Sequence, residues 1–301
     1  MRLLPLLALL PSQRGAERRL RARGGAAPDA ALDPAGLRDA AAALARQAGA
    51  LLREGYGLAH RPERKGRIDL VTEYDRRSER LLLEALARRF PGAAVLAEES
   101  GAHAGAPAAA GPNAALRWII DPLDGTTNFA HNYPFFAVSI AAEKSGALVA
   151  GAVYDPLRDE MFVAALSGGA SLNGVPIGVS DVARLDQALV VAQAQTTDPG
   201  EIRAYARLVE RLMSVCGGVR SLGSPALTLC AIAAGRLEAY CEYAMDAWDI
   251  LAGQLILSEA GGMLTLFSGR PHDSADRADV VATNGYIHPE LIDALEGLSD
   301  D

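Results

Sequence analysis

Hydrophobic and polar positions divide the chain into segments whose apolar period is either about 3.6 or about 2 residues. From Pro34 to about Glu54, Ala, Leu and Arg recur at helical spacing, and Gly55 closes the run. A basic polar loop over Arg61 to Arg67 leads into an extended segment, Ile68 to Asp75. A helix over Arg76 to Phe90 follows and stops at Pro91-Gly92. Thr72 and Asp75 have the spacing of a helix cap, which accounts for Asp75 as well as any chemical role does. Ala94 to Ala97 predicts a short strand ending in Glu98-Glu99-Ser100, and the Ala/Gly/Pro-rich stretch Gly101 to Asn113 predicts a mobile surface loop. Trp118-Ile119-Ile120 predicts a buried strand that stops at Asp121-Pro122, because proline cannot donate to a ladder. Ala137 to Glu143, Ala147 to Tyr154 and Glu160 to Ala165 read as strands separated by the turn pairs Ser145-Gly146 and Asp155-Pro156, an antiparallel meander. Ala170 to Val179 adds a strand pair around Asn173-Gly174.

The second half alternates strand and helix, the pattern of an α/β unit. Strands are expected over Ala188 to Ala192, Gly217 to Leu222, Leu237 to Glu242, Met263 to Phe267 and Val280 to Thr283. Helices are expected over Glu201 to Met213, Trp248 to Ala260 and Pro289 to Leu298. One more begins at an N-cap Ser224 with Pro225 in the first turn and runs to Ala234. This gives a leader over 1–32, an N-terminal α+β half over 33–186 and a C-terminal α/β half over 187–298.

Composition narrows the class. The chain has 301 residues, 50% of them hydrophobic, enough for a substantial core. In the leader, the apolar run Leu3 to Leu10 is too short to span a membrane and lacks a small-x-small cleavage site directly after it. The basic, Gly-rich stretch Arg14 to Gly25 reads as disordered. A net charge of −8 and a pI of about 5.2 argue against direct nucleic-acid binding. Cys216, Cys230 and Cys241 form no Cys-x-x-Cys pair and read as small hydrophobes in a reducing compartment, so a cytoplasmic location is expected. The five histidines show no ligand spacing, and zinc chemistry is not expected.

The candidate chemistry lies between Trp118 and Phe129. Asp121 and Asp124 stand three residues apart across a turn, Gly125 lets the backbone bend, and Thr126, Thr127 and Asn128 are residues that cap a helix start. Two acids are thus delivered beside a helix N-terminus that favours an anion. Mg2+ is held in this way, by one or two carboxylates together with phosphate oxygens. A bare Asp-Pro-x-Asp-Gly is more often a solvated turn, and an acid such as Asp249 at a helix start is more often a dipole partner. Glu98 and Asp249 bring the acids at strand ends or helix starts to four, and spacing alone does not make them meet.

Three separated motifs do more. Glu98-Glu99-Ser100, then Asp121-Pro-Leu-Asp-Gly-Thr-Thr-Asn-Phe129, then Trp248-Asp249-Ile-Leu-Ala-Gly253 resemble, in order, the signatures of the inositol monophosphatase family of lithium-sensitive Mg2+ phosphatases. The likeness includes Asp69-Leu-Val-Thr-Glu-Tyr-Asp75 and Glu259-Ala-Gly-Gly262, and runs from about Asp33 to the last helix.

The resemblance implies a layered αβαβα sandwich with the cleft between its halves, and a homodimer. It implies that Glu98, Asp121 and the Leu123 carbonyl hold one Mg2+, and that Asp121, Asp124 and Asp249 hold a second. A weaker third ion is implied beside Glu98. The N–H groups of Gly125 and Thr126 would bind phosphate, and water activated with help from the Thr126–Asp75 pair and Glu98 would attack phosphorus in line, with no covalent phospho-enzyme. Glu242, seven residues before Asp249, would hold hydroxyls of the alcohol, with Gly223, Ser224 and Asp249 lining the same pocket. Pro225 stands where the family has a small residue and removes a backbone donor, and Asp246 adds an acid near the pocket mouth. Arg64 or Lys65 matches the family's basic residue before Asp69. Thr126 to Phe129 favours the monophosphatase branch, acting on inositol 1-phosphate or a related polyol or sugar monophosphate. A histidinol-phosphate phosphatase and an added regulatory binding role are the alternatives.

Overall fold

The computed structural model describes residues 32–58, 62–64, 70–105, 113, 115–272 and 277–298. The leader up to residue 31, Lys65, Asp69 and most of the two loops expected over 61–67 and 101–113 lie outside them. In chain order the elements are α1 (Pro34–Gly55), β1 (Glu63–Arg64), β2 (Leu70–Val71), α2 (Glu73–Arg89), β3 (Ala94–Ala97), β4 (Gly101–His103), β5 (Leu116–Asp124) and α3 (Thr126–Ala130). Then come β6 (Ala137–Lys144), β7 (Ala147–Asp155), β8 (Glu160–Ala165), β9 (Ala170–Leu172), β10 (Val175–Pro176), β11 (Leu189–Gln193), α4 (Pro199–Val215) and β12 (Gly218–Arg220). The chain ends with α5 (Pro225–Ala233), β13 (Ala239–Met245), α6 (Ala247–Glu259), β14 (Met263–Leu266), β15 (Ala278–Thr283) and α7 (His288–Leu295).

Two main sheets carry the fold. One has eight strands in the order β10-β9-β8-β7-β6-β5-β3-β4, and the other has five in the order β12-β11-β13-β15-β14. The uninterrupted apolar run of β5 follows from burial on both faces. Trp118 and Ile120 share a core with Leu37 and Leu44 of α1 and Leu82 and Leu86 of α2. Ile119, between them, points the other way, into a core with Leu229 of α5 and Ile256 of α6. Strand β13 repeats the device. Tyr240 joins the α5–α6 core, while Ala239 and Cys241 join Leu208 and Leu212 of α4 and Leu291 and Leu295 of α7. Three apolar cores thus fill the four spaces between five layers, α1–α2, the large sheet, α5–α6, the small sheet and α4–α7, with the middle core covering both faces of α5–α6. The expected αβαβα sandwich is the observed fold. Among the described residues no helix is long and apolar enough to cross a membrane.

The differences from the sequence reading fall beside the acids. Strand β5 does not stop at Asp121-Pro122 but runs to Asp124, with a register shift against β6 between the two aspartates. A bulge needs no ladder donor at Pro122, so the proline is accommodated. The expected loop after Glu98 begins with β4, which pairs antiparallel with the end of β3, and Glu63–Arg64 forms a small hairpin with β2. Neither short strand has enough residues to show a period. Thr126, Thr127 and Asn128 do not cap α3; they lie inside it, and Gly125 heads it with a left-handed φ of 93°.

Helix α6 approaches the large sheet across a glycine. A Cβ at Gly151 would stand 2.8 Å from the carbonyl oxygen of Ala252 on α6, which is backbone and cannot swing aside. Gly151→Ala is expected to cost about 1–3 kcal/mol by forcing the helix off the sheet. A melting temperature unchanged from wild type would contradict this.

Candidate active site

Strands β3 and β5 are parallel neighbours with Ala97 opposite Ile120, so the next positions, Glu98 just beyond the end of β3 and Asp121 still within β5, stand side by side. The Glu98 N–H donates to the Ile120 carbonyl at 3.3 Å, and the two acid side chains share a hydrogen bond. Asp121 Oδ1 also accepts the N–H of Leu123 at 2.9 Å, which folds the bulge over on itself. The cross-strand partner of Asp121 is Ser139. Its hydroxyl donates to the Trp248 carbonyl at 3.3 Å and so ties the head of α6 to the strand ends. Asp249 follows in the first turn of α6, with Oδ2 accepting the N–H of the cap residue Asp246 at 3.0 Å.

Asp124 is held differently. Its Oδ2 accepts the Ser224 hydroxyl and the Ala226 N–H, the latter at 3.0 Å, so a carboxylate about a hundred residues away in sequence caps α5. Ser224 occupies the expected N-cap position of α5, but its hydroxyl is spent on Asp124 and not on its own helix. Pro225 has no N–H to give, and the first donor is Ala226.

Asp75 combines the two roles that its spacing left open. Its Oδ2 accepts the N–H and hydroxyl of Thr72 at 2.7 and 2.6 Å, closing a capping box at the start of α2. Its Oδ1 accepts the Thr126 hydroxyl at 2.7 Å, with the Leu123 carbonyl oxygen 3.0 Å from the same hydroxyl.

A cleft of about 640 Å³ opens over this assembly, lined by Glu98, Asp121, Leu123, Asp124, Gly125 and Thr126, and on its other side by Gly223, Glu242 and Asp249. Asp75 and Ser224 lie fully buried behind it. Asp246 lines the cleft, whereas Arg64 lies exposed on β1 and does not.

Electrostatics in the cleft is dominated by burial and then by like charge. Burial first, then Glu98, Asp124 and Asp249, push Asp121 well above the carboxylate range. Burial, then Glu98 and Asp124, do the same to Asp249. Asp124 is pushed up to about 7 by burial and by Glu98, against the opposing hydrogen bonds from Ser224 and the α5 backbone. Among the described residues no three or more His, Cys, Asp or Glu side chains are placed so that they could hold a metal ion together. The acids are gathered in mutual repulsion, and a cation relieves that repulsion. The donors are carboxylate and carbonyl oxygens, the set that suits Mg2+ and not zinc.

The sequence profile of the inositol monophosphatase family matches residues 33–299. The chain belongs to that family. It is 42% identical to the inositol-1-monophosphatase of Synechocystis over 82% of its own length and 84% of the relative's. It is 34% identical to the Nus factor SuhB of Salmonella typhimurium, covering 84% of this chain and 96% of that one. The solved structure of the suhB extragenic suppressor protein from Bartonella henselae superposes with a TM-score of 0.80 at 35% identity, covering 87% of this chain and 98% of that one.

In this family member the side of the cleft built by the C-terminal strands holds residues that sequence reasoning passed over. Gln193 ends β11 opposite Glu242 on the parallel strand β13. Its amide donates to Glu242 Oε2 at 2.7 Å and its carbonyl accepts the Gly223 N–H at 2.9 Å. The Tyr240 hydroxyl donates to the same Glu242 oxygen. Burial pushes Glu242 up to about 7, against these two hydrogen bonds. The signal for Gln193 was a polar residue at the carboxyl end of a parallel strand, where α/β sheets bind ligands. Thr196, Tyr243 and Arg277 also line the cleft, from loops and a strand end that carry no motif.

Asp124 and Glu242, both near 7 when folded, keep protons that the unfolded chain loses near pH 4. Their contribution to stability is complete below the unfolded pKa and disappears as pH rises through about 7. The melting temperature of the chelator-treated protein is therefore expected to fall between about pH 5 and about pH 8, and Mg2+ is expected to restore it at the higher pH. A flat or rising profile in the same interval would contradict this assignment.

Proposed function

We propose that this family member is a Mg2+-dependent phosphomonoesterase acting on inositol 1-phosphate or a related polyol or sugar monophosphate. The observation that carries the reading is the set of four acids, Glu98, Asp121, Asp124 and Asp249, raising one another's affinity for positive charge at the floor of one cleft. Glu98, Asp121 and the Leu123 carbonyl would hold one ion, and Asp121, Asp124 and Asp249 a second. Mg2+ bound there supplies Lewis-acid stabilisation of phosphoryl charge and lowers the pKa of water.

The remaining roles belong to the chain itself. Thr126, bonded to the Asp75 carboxylate, would orient a water and help to take its proton, with Glu98 assisting; the Thr126–Asp75 hydrogen bond supports this role. The backbone N–H groups of Gly125 and Thr126 would receive the phosphate oxygens. Glu242, with Gly223 and Asp249, would receive the alcohol, and the hydrogen bonds from Gln193 and Tyr240 fix the orientation of its carboxylate. Ser224 acts through Asp124. The cleft would then be shared between an N-terminal half ending near residue 186 and a C-terminal half beyond it. A cytoplasmic homodimer completes the reading, on the family likeness and on three free cysteines, two of them buried.

A second reading has its own support. The alcohol side carries Glu201, Glu242 and Asp246, and such an acidic lining also suits a cationic alcohol such as histidinol. Phosphate release from a panel of monoesters, with Mg2+ titrated from zero, separates the two by relative kcat/KM. The likeness to relatives named Nus factor supports an added regulatory role, for which pull-downs with and without Asp121→Asn are the discriminating comparison.

Asp121→Asn and Asp249→Asn are each expected to abolish hydrolysis while leaving a cooperative melt, since a charged ligand and its Lewis-acid contribution are lost together. Near-normal turnover by either variant at saturating Mg2+ would overturn the reading. Millimolar Li+ is expected to inhibit, as the family likeness implies, and turnover indifferent to Li+ would place the chain in a different branch.

A further inference from the structure

The buried stripe of α2 changes character along its length. Leu82 and Leu86, far from the cleft, pack into the core, whereas Asp75, Ser78 and Glu79 on the same face are polar and buried. A buried carboxylate or hydroxyl is unfavourable without a hydrogen-bond partner, so each of the three needs an explanation where a leucine would have packed. Asp75 has one in Thr126. The other two hold backbone groups that the sheet leaves unpaired beside the acids.

The ladder between β3 and β5 ends with the Glu98 N–H on the Ile120 carbonyl. The next N–H, that of Glu99, donates to Glu79 Oε2 at 2.8 Å. In the bulge between Asp121 and Asp124, the Ser78 hydroxyl donates to the Pro122 carbonyl at 2.8 Å. We propose that Ser78 and Glu79 are positioning residues: from one helical face they fix the backbone on which Glu98, Asp121 and Asp124 are mounted, and thereby set the affinity of the acid cluster for Mg2+. This rests on the reading of those acids as metal ligands. A helix is rigid across one turn, so two contacts from adjacent positions hold the two acid-bearing segments at a fixed spacing.

The test is Mg2+ titration by calorimetry of wild type, Glu79→Met, Glu79→Gln and Ser78→Ala, alongside phosphate release against Mg2+ concentration. Methionine keeps the volume but cannot accept the Glu99 N–H, whereas the glutamine carbonyl can. Glu79→Met is expected to weaken Mg2+ binding about tenfold, with kcat recovering at saturating Mg2+, and Glu79→Gln to stay within about threefold of wild type. Ser78→Ala is expected to weaken binding by about three- to tenfold. The inference is overturned if folded Glu79→Met binds Mg2+ like wild type, or if Glu79→Gln is as impaired as Glu79→Met. Should Glu79→Met fail to melt cooperatively, Ser78→Ala decides the matter, and wild-type affinity there overturns the inference. A wild-type protein with neither Mg2+ heat nor phosphate release would instead remove the ligand reading itself, a result distinct from the others.

Discussion

The contact on which the most depends is the carboxylate of Asp124 at the head of α5. It lies at the end of a strand in the large sheet, yet its hydrogen-bond donors, the Ser224 hydroxyl and the Ala226 N–H, belong to the middle helical layer. Unpaired N–H groups at a helix start need an acceptor, and a buried carboxylate needs donors, so each meets the other's requirement. The same bonds oppose the upward push that burial gives Asp124. The fold thus supplies donors within the cluster, and the acids still repel one another.

That repulsion has a structural cost that is offset elsewhere. Each acid is approached by backbone or side-chain donors from a different element: Leu123 for Asp121, Asp246 for Asp249, and Thr72 and Thr126 for Asp75. The three apolar cores around the cleft hold the acids in place against their mutual push. Sites of this kind are where local rules are broken and compensated by packing at a distance.

How much of this was legible in the sequence depends on the length scale of each signal. The strands and helices of the two halves could be read from apolar period, caps and stops, whereas their stacking into five layers came from the family resemblance. The acids could be singled out because strand ends and turn residues frame them. Their convergence could not be read from spacing, since the segments carrying Glu98, Asp121 and Asp249 are far apart in the chain; it came from motifs in a family's order. The bulge at Pro122 was missed because a proline normally argues against a strand. Strand β4 was missed because three residues carry no period. Gln193 was missed because its partners, Glu242 and Gly223, come from other segments, and no local pattern marks a residue for what it will meet across a sheet.

Helix α6 sits in the middle layer, covered by a sheet on each side, and brings Asp249 with it. The large sheet by itself brings Glu98, Asp121 and Asp124 to one edge, but Asp249 joins them only through a helix packed between both sheets. The four-acid cluster is therefore a property of the whole sandwich and of neither half by itself, and on the proposed reading an ion bound there would tie the two halves together.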